Sequence, residues 1–227
     1  MRAAELLVTS HASRVLDVGS GVGKFCIVGA AATGATFTGV EHRPRFVSVA
    51  RRVAEAFGVT SARFQCTTFD AVAAKNFDGI YLFNPFEENL WGPLEVLDET
   101  VPLSRERFAR DTVRAERLLT SARVGTRVVT YHGFGSVMPP GFRLTLRERQ
   151  RSGNLELWVK TEDLPWAPQP PARNRLSWLR GKTIRALQAA CRNEGLEPPE
   201  SIPSVVEPSL GGLGVVRLAL PSAQHGG

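Results

Sequence analysis

Residues 15–23, Val-Leu-Asp-Val-Gly-Ser-Gly-Val-Gly, commit this chain to one kind of local architecture. A short apolar strand runs into an acid, Asp17, and then into glycines at alternate positions, Gly19, Gly21 and Gly23, before a helical pattern begins. Glycines directly after a parallel strand let a ligand lie against bare backbone. About twenty residues on, the usual separation in such folds, a second apolar strand, Thr36–Glu41, ends on a second acid. A carboxylate there can accept hydrogen bonds from two ribose hydroxyls. The two features together describe a site for an adenosine-containing cofactor.

The spacing separates the possible cofactors. A phosphate-cradling loop for ATP needs Gly-x-x-x-x-Gly-Lys-[Ser/Thr]. Here Gly23 is followed by Lys24, but Val18 stands where the first glycine is required and Phe25 where the metal-binding hydroxyl is required. A dinucleotide site wants Gly-x-Gly-x-x-Gly. This chain has Gly-x-Gly-x-Gly, preceded by an acid.

That run, Asp17-Val18-Gly19-Ser20-Gly21-Val22-Gly23, resembles motif I of the class I S-adenosylmethionine-dependent methyltransferases. The resemblance implies S-adenosyl-L-methionine as cofactor and a role for each residue. Asp17 is expected to hold the loop amides and lie near the positive methionine portion. Gly19 and Gly21 admit the methionine and ribose, Ser20 adds a hydrogen bond, and Gly23 completes the loop. Glu41 is expected on the ribose diol and His42 at the adenine edge. Relatives carry an acid directly after the third strand for the adenine amino group. Here the strand Ala62–Cys66 is followed by Thr67-Thr68-Phe69-Asp70, so Thr67, Thr68 or the backbone at Phe69 is expected to take that contact. Asp70 comes late and suits a helix cap.

A fourth strand, expected over 77–83, ends on Asn84-Pro85-Phe86. This resembles the [Asn/Asp]-Pro-Pro-[Tyr/Phe] signature of amino-group methyltransferases, and the run through Glu87-Glu88-Asn89 is similar to one in bacterial class I enzymes. The resemblance implies that the Asn84 side chain and the Pro85 carbonyl accept from the target N–H groups. Methyl transfer gains chiefly from alignment and dryness. The motif is one proline short: Phe86 occupies the second proline's place and Glu87 the aromatic's. Glu87 and Glu88 could attract a cationic amine or simply favour a helix start. Tyr131 and His132, at the end of the fifth strand, are further candidates for a base or pocket wall.

The remaining pattern completes an α/β fold. Helices are expected over 22–33, from Pro44 with Phe46, Val49, Val53 and Phe57 facing inward, and after a cap at Ser104 with Phe108, Thr112, Ala115, Leu119 and Ala122 facing inward. A fifth strand at Arg127–Tyr131 and an antiparallel pair at 142–149 and 155–160 follow. The resemblance implies a doubly wound, mostly parallel, seven-stranded Rossmann-like sheet of order 3-2-1-4-5-7-6, over a methyltransferase core at 1–161. With only about 13 residues before the first strand, the N-terminal helical cover of many relatives is expected to be nearly absent. Residues 162–227 form a C-terminal extension, with a Pro-rich linker at 164–171 and an amphipathic helix near 181–196.

Cys26, Cys66 and Cys191 lie far apart, which argues against a disulfide framework or zinc site, and no metal is expected. The sequence carries no signal core and no membrane-spanning run, so a cytoplasmic protein without membrane partner is expected. The net charge of +6 is mostly arginine spread along the chain, and basicity alone does not assign a nucleic-acid partner. The acceptor expected from the motif is a nitrogen of a protein side chain or small-molecule amine. RNA or DNA methylation, and a non-catalytic cofactor-binding module, are the alternatives.

Overall fold

Alternation along the parallel strands decides the layering. β1 (Arg14–Val18) sends Val15 to one side of the sheet and Leu16 and Val18 to the other, and both sides are buried. β2 (Thr36–Glu41) and β4 (Gly79–Leu82) repeat the division: Phe37 and Tyr81 face the first side, Val40, Ile80 and Leu82 the second. Strands buried on both faces need helices on both. The computed structural model, which describes residues 1–90 and 100–167, places α1 (Arg2–Leu7), α2 (Lys24–Thr33) and α3 (Pro44–Ala56) on the first side. α4 (Arg105–Thr120) covers the second.

With β3 (Ala62–Cys66), β5 (Arg127–Tyr131), β6 (Phe142–Gln150) and β7 (Gly153–Lys160), the strand order is β3-β2-β1-β4-β5-β7-β6. β7 runs antiparallel between β5 and β6, and the remaining pairs are parallel. The sheet expected from the sequence is borne out strand for strand. The direction of winding reverses between β1 and β4, and the crevice at such a reversal is where open α/β sheets bind ligands.

Three local expectations need correction. α2 starts at Lys24, not Val22, because Gly23 adopts a left-handed cap conformation (φ 80°) that no helix interior tolerates. The inward stripe of α3 is Val47, Ala50 and Ala54, with Val53 partly buried, and Phe57 is 76% exposed. Small alanines let the helix approach the sheet closely. The chain then leaves the helix through a Schellman turn, with Val59 N donating to Ala54 O at 2.9 Å and Gly58 N to Glu55 O at 3.0 Å. Before β1 the chain does form a helical turn, α1, which buries Leu6 and Leu7.

β7 ends on a residue whose charge the sequence gives no reason to bury. Lys160 is 1% exposed, and its Nζ donates to Thr120 O, Ala122 O and Asp163 Oδ1 at 2.5, 2.6 and 2.8 Å. It satisfies carbonyls at the carboxyl end of α4, where a cation is favoured. Lys160→Met keeps the apolar stem but strips the donors, and each orphaned buried acceptor costs about 1–3 kcal/mol. Urea unfolding should therefore show a loss of about 3 kcal/mol; a loss below 1 kcal/mol would mean that water replaces the ammonium.

Beyond β7, Trp166 sits under the Arg117 guanidinium, 4.4 Å from the ring centre. The expected linker from residue 168 onward, the helix at 181–196 and Cys191 lie outside the described residues. Among the described residues, no helix is long and apolar enough to cross a membrane.

Candidate active site

The carboxyl ends of β1 to β4 open into a cavity of about 460 Å³, within the range of about 300–1,000 Å³ for small-molecule sites. Gly19, Gly21, Glu41, His42, Thr67, Thr68, Phe69, Asn84, Pro85 and Phe86 all line it. Residues read separately from four strand ends thus meet in one place. Asp17, Ser20 and Gly23 lie behind the wall.

The glycine loop is held by β2. Gly19 N and Ser20 N donate to Val40 O at 2.9 and 3.1 Å, and Gly21 N donates to Glu41 Oε2 at 3.2 Å. Glu41 Oε1 accepts from Arg43 N at 3.0 Å, with the carboxylate itself buried. Two backbone donors fix the plane of this group, and a carboxylate offers about four acceptor positions. The remainder are available to a diol. Gly21 has φ 54° and open space where a side chain would project, so its lack of one serves the cavity and not packing. Gly23 differs: an added Cβ would stand 2.5 Å from the Phe64 ring.

Asp17 does not hold the loop amides, which Val40 and Glu41 have taken. Its carboxyl is buried on the α2 side and accepts from the Cys26 thiol at 3.4 Å. Burial pushes its pKa up to about 7; the thiol's hydrogen bond opposes this and nearby Glu41 adds to it. The native carboxyl therefore keeps its proton to about pH 7, whereas the unfolded one releases it near 3.8. Between those values the folded state binds more protons, so Asp17 makes stability fall as pH rises through this window and level off above it. Asp17→Asn should flatten that slope in thermal unfolding and raise Tm above pH 7. An unchanged profile would show that the ionised carboxylate is solvated in the native protein.

Ser20 turns its hydroxyl over Gly39, where an added Cβ would lie 2.6 Å from Oγ, and not into the cavity. Phe86 lines the cavity but is only 5% exposed, with its ring packed 5.1 Å from Phe69, so little of the ring is open to an acceptor. Asn84 has φ 45° and its N donates to Gly133 O at 3.1 Å. Its Nδ2 donates to the buried carboxylate of Glu87. Glu88 pairs with buried Arg43 at 2.7 Å. The two acids that could have drawn a cationic amine thus each spend one oxygen within the protein.

Sequence reasoning missed one wall. Arg107, Arg110, Asp111 and Arg114 line the cavity from α4, and the three guanidinium groups gather on Asp111 at 3.3 to 3.7 Å. Their spacing marks a single helical face, adjacent to the apolar one that was read. Asp70 pairs with Arg114 at 3.3 Å instead of capping a helix.

The donor set fits a polar nucleoside ligand. Among the described residues, His42 Nε2, Arg43 Nε, Glu88 Oε1 and Asn89 Oδ1 are buried with no partner, and all four residues line the cavity. Buried polar atoms are rarely left unsatisfied. Burial, with help from Arg43 and Arg107 against the pull of Glu41 and Asp111, lowers the His42 pKa.

Residues 15–103 match the family described as a methyltransferase domain. No curated protein matches the chain in sequence. Among solved structures, an RNA methyltransferase from Salinibacter ruber in complex with S-adenosyl-L-homocysteine superposes with a TM-score of 0.55 at 20% identity, over 74% of this chain and 94% of that one. TrmN from Thermus thermophilus gives 0.50 at 20% identity over 70% of this chain, and a mutant of MtNAS in complex with S-adenosylmethionine gives 0.50 at 17% over 71%. The chain spans 47% of the former and 60% of the latter. At these identities the likeness is one of fold. The family match takes in the glycine loop, Glu41 and the Asn84 turn, and it sits on a complete seven-stranded sheet, so residues 15–103 carry a methyltransferase domain on the Rossmann-like fold of S-adenosylmethionine-dependent methyltransferases.

Proposed function

We propose that the chain methylates a nitrogen, held at the Asn84–Pro85 turn beside the cofactor cavity, and that residues 1–161 carry this reaction with the following segment as an extension. Bound S-adenosylmethionine would supply an electrophilic methyl carbon. Glu41 would hold the ribose diol, Gly19 and Gly21 the chain between ribose and methionine, and His42 with Thr67, Thr68 and Phe69 the adenine end. Asp17, Ser20 and Gly23 would act through the loop and α2, without touching the cofactor.

The state of Asn84 is the observation that carries the reading. The amide turns Nδ2 to Glu87, an arrangement that leaves Oδ1 for an incoming donor. Oδ1 and the Pro85 carbonyl then accept from a target N–H and orient the nitrogen lone pair. Such positioning accounts for large rate effects without any charge at the acceptor.

Calorimetric titration with S-adenosylmethionine, followed by transfer of labelled methyl groups to RNA, DNA, protein and amine panels, tests this. Saturable binding with nitrogen-linked label supports it. Binding without transfer to any acceptor would favour the cofactor-holding module, and no binding would remove the cofactor assignment.

A further inference from the structure

Beside Asn84 the structure builds a flat aromatic surface from residues remote in sequence. Phe83, the residue before Asn84, lines the cavity mouth and is 53% exposed. Its ring lies 5.2 Å from Tyr131 and 5.9 Å from His132, at interplanar angles of 26° and 28°. The rings of Tyr131 and His132 are themselves 4.2 Å apart. Three rings therefore face roughly one way.

The arrangement is held in place. Ser152 Oγ hydrogen-bonds the Tyr131 hydroxyl at 2.6 Å and His132 Nε2 at 3.2 Å. His132 adopts φ 61°, an uncommon conformation for a residue with a side chain. Gly153 is what admits its ring, since an added Cβ would lie 2.5 Å from it. An exposed phenylalanine supported by two fixed rings is a stacking platform that offers its face to a base.

Charge around the platform completes the picture. Ser152 belongs to the tight β6–β7 turn, where Gln150 pairs with Gly153. Arg149 precedes that turn and Arg151 lies in it, both are exposed, and among the described residues neither has an ion pair or side-chain hydrogen bond. Arg147, by contrast, is spent on Glu156 at 2.8 Å. Stacking rings beside uncommitted arginines are how proteins hold single strands, with bases on the rings and phosphates on the cations.

We propose that the acceptor is an unpaired base of a single-stranded nucleic acid. The base stacks on Phe83, its N–H reaches Asn84 Oδ1, and the neighbouring phosphates lie on Arg149 and Arg151. This rests on the methyl-transfer reading for its chemistry, but the platform is testable without it. A base inside a duplex cannot reach the rings without leaving its stack, so single strands are preferred.

Fluorescence anisotropy with labelled 12-mers of single-stranded RNA, single-stranded DNA, duplex RNA and a lysine-bearing peptide tests this, beside calorimetry with S-adenosylmethionine on the same preparations. Single strands should bind at least tenfold more tightly than duplex. Phe83→Ala should weaken that binding roughly tenfold and Phe83→Trp should restore it. Arg149→Ala with Arg151→Ala should reduce the salt slope by about 1.4, or ~0.7 per phosphate contact. The RNA and DNA arms decide which strand is the natural one. Equal affinity for duplex, indifference to Phe83→Ala, or preference for the peptide overturns the inference. Cofactor uptake without single-strand binding defeats this inference alone; single-strand binding without cofactor uptake defeats the methyl-transfer reading and leaves the platform standing.

Discussion

Glu41→Ala should weaken S-adenosylmethionine binding by a hundredfold or more and lower Tm at the same time. The carboxylate does two jobs. It closes the loop from behind through Gly21 N and the start of α3 through Arg43 N, and in the proposed reaction its remaining acceptor positions would take the ribose diol. Alanine leaves two buried N–H groups without partners, each worth about 1–3 kcal/mol, and removes the diol contact as well. Glu41→Gln separates these effects. Its single oxygen can serve one backbone donor while its NH2 confronts the other, so loop and ligand both lose. Glu41→Asp retains the charge but is a methylene too short to span both donors. Calorimetry and thermal unfolding on the three variants check the order. Unchanged affinity in Glu41→Ala would take the diol away from β2.

Asn84→Gly should lower kcat by about 10²- to 10³-fold, the usual cost of losing a positioning hydrogen bond, while the cofactor Kd moves by threefold or less. Glycine is the informative replacement because φ 45° suits it without strain, so the turn keeps its shape and the amide alone is lost. Asn84→Asp probes the Glu87 contact instead. It sets two carboxylates against each other, and activity should recover in part as pH falls and one of them takes a proton. Single-turnover kinetics with the acceptor identified by the transfer assay reads both. A Gly variant with full activity would reduce the Asn-Pro turn to a structural element.

The parts of this molecule that were legible in its sequence are those whose residues are neighbours in the chain. The strands followed from alternation and turns, their order from the resemblance to the methyltransferase sheet, and the glycine loop, Glu41 and Asn84 were placed by contiguous motifs. Where the sequence reading failed, a distant partner decided the outcome. Asp17 was expected on the loop amides, but Val40 and Glu41, from the adjacent strand, had taken them. Phe57 scores as a core residue by spacing, yet the Schellman turn carries it past the helix into solvent. Lys160 is buried because the carboxyl end of α4 supplies acceptors forty residues away in sequence. The platform of Phe83, Tyr131 and His132 was invisible for the same reason, since it draws on two strands and the turn of a hairpin.

Pro85 lies directly over Gly19, close enough that a methyl group there would come within 3.2 Å of the proline ring. In the proposed reaction the wall between cofactor and acceptor would thus be one side chain thick. Change on one side cannot be insulated from the other. A lineage that reshapes residues 84–86 to take a new acceptor does so against the glycine loop, whereas the exposed positions of β6 lie outside that contact. Diversification of substrate in this scaffold is therefore channelled toward the hairpin edge, and the turn after β4 is left as shared, slowly negotiable ground.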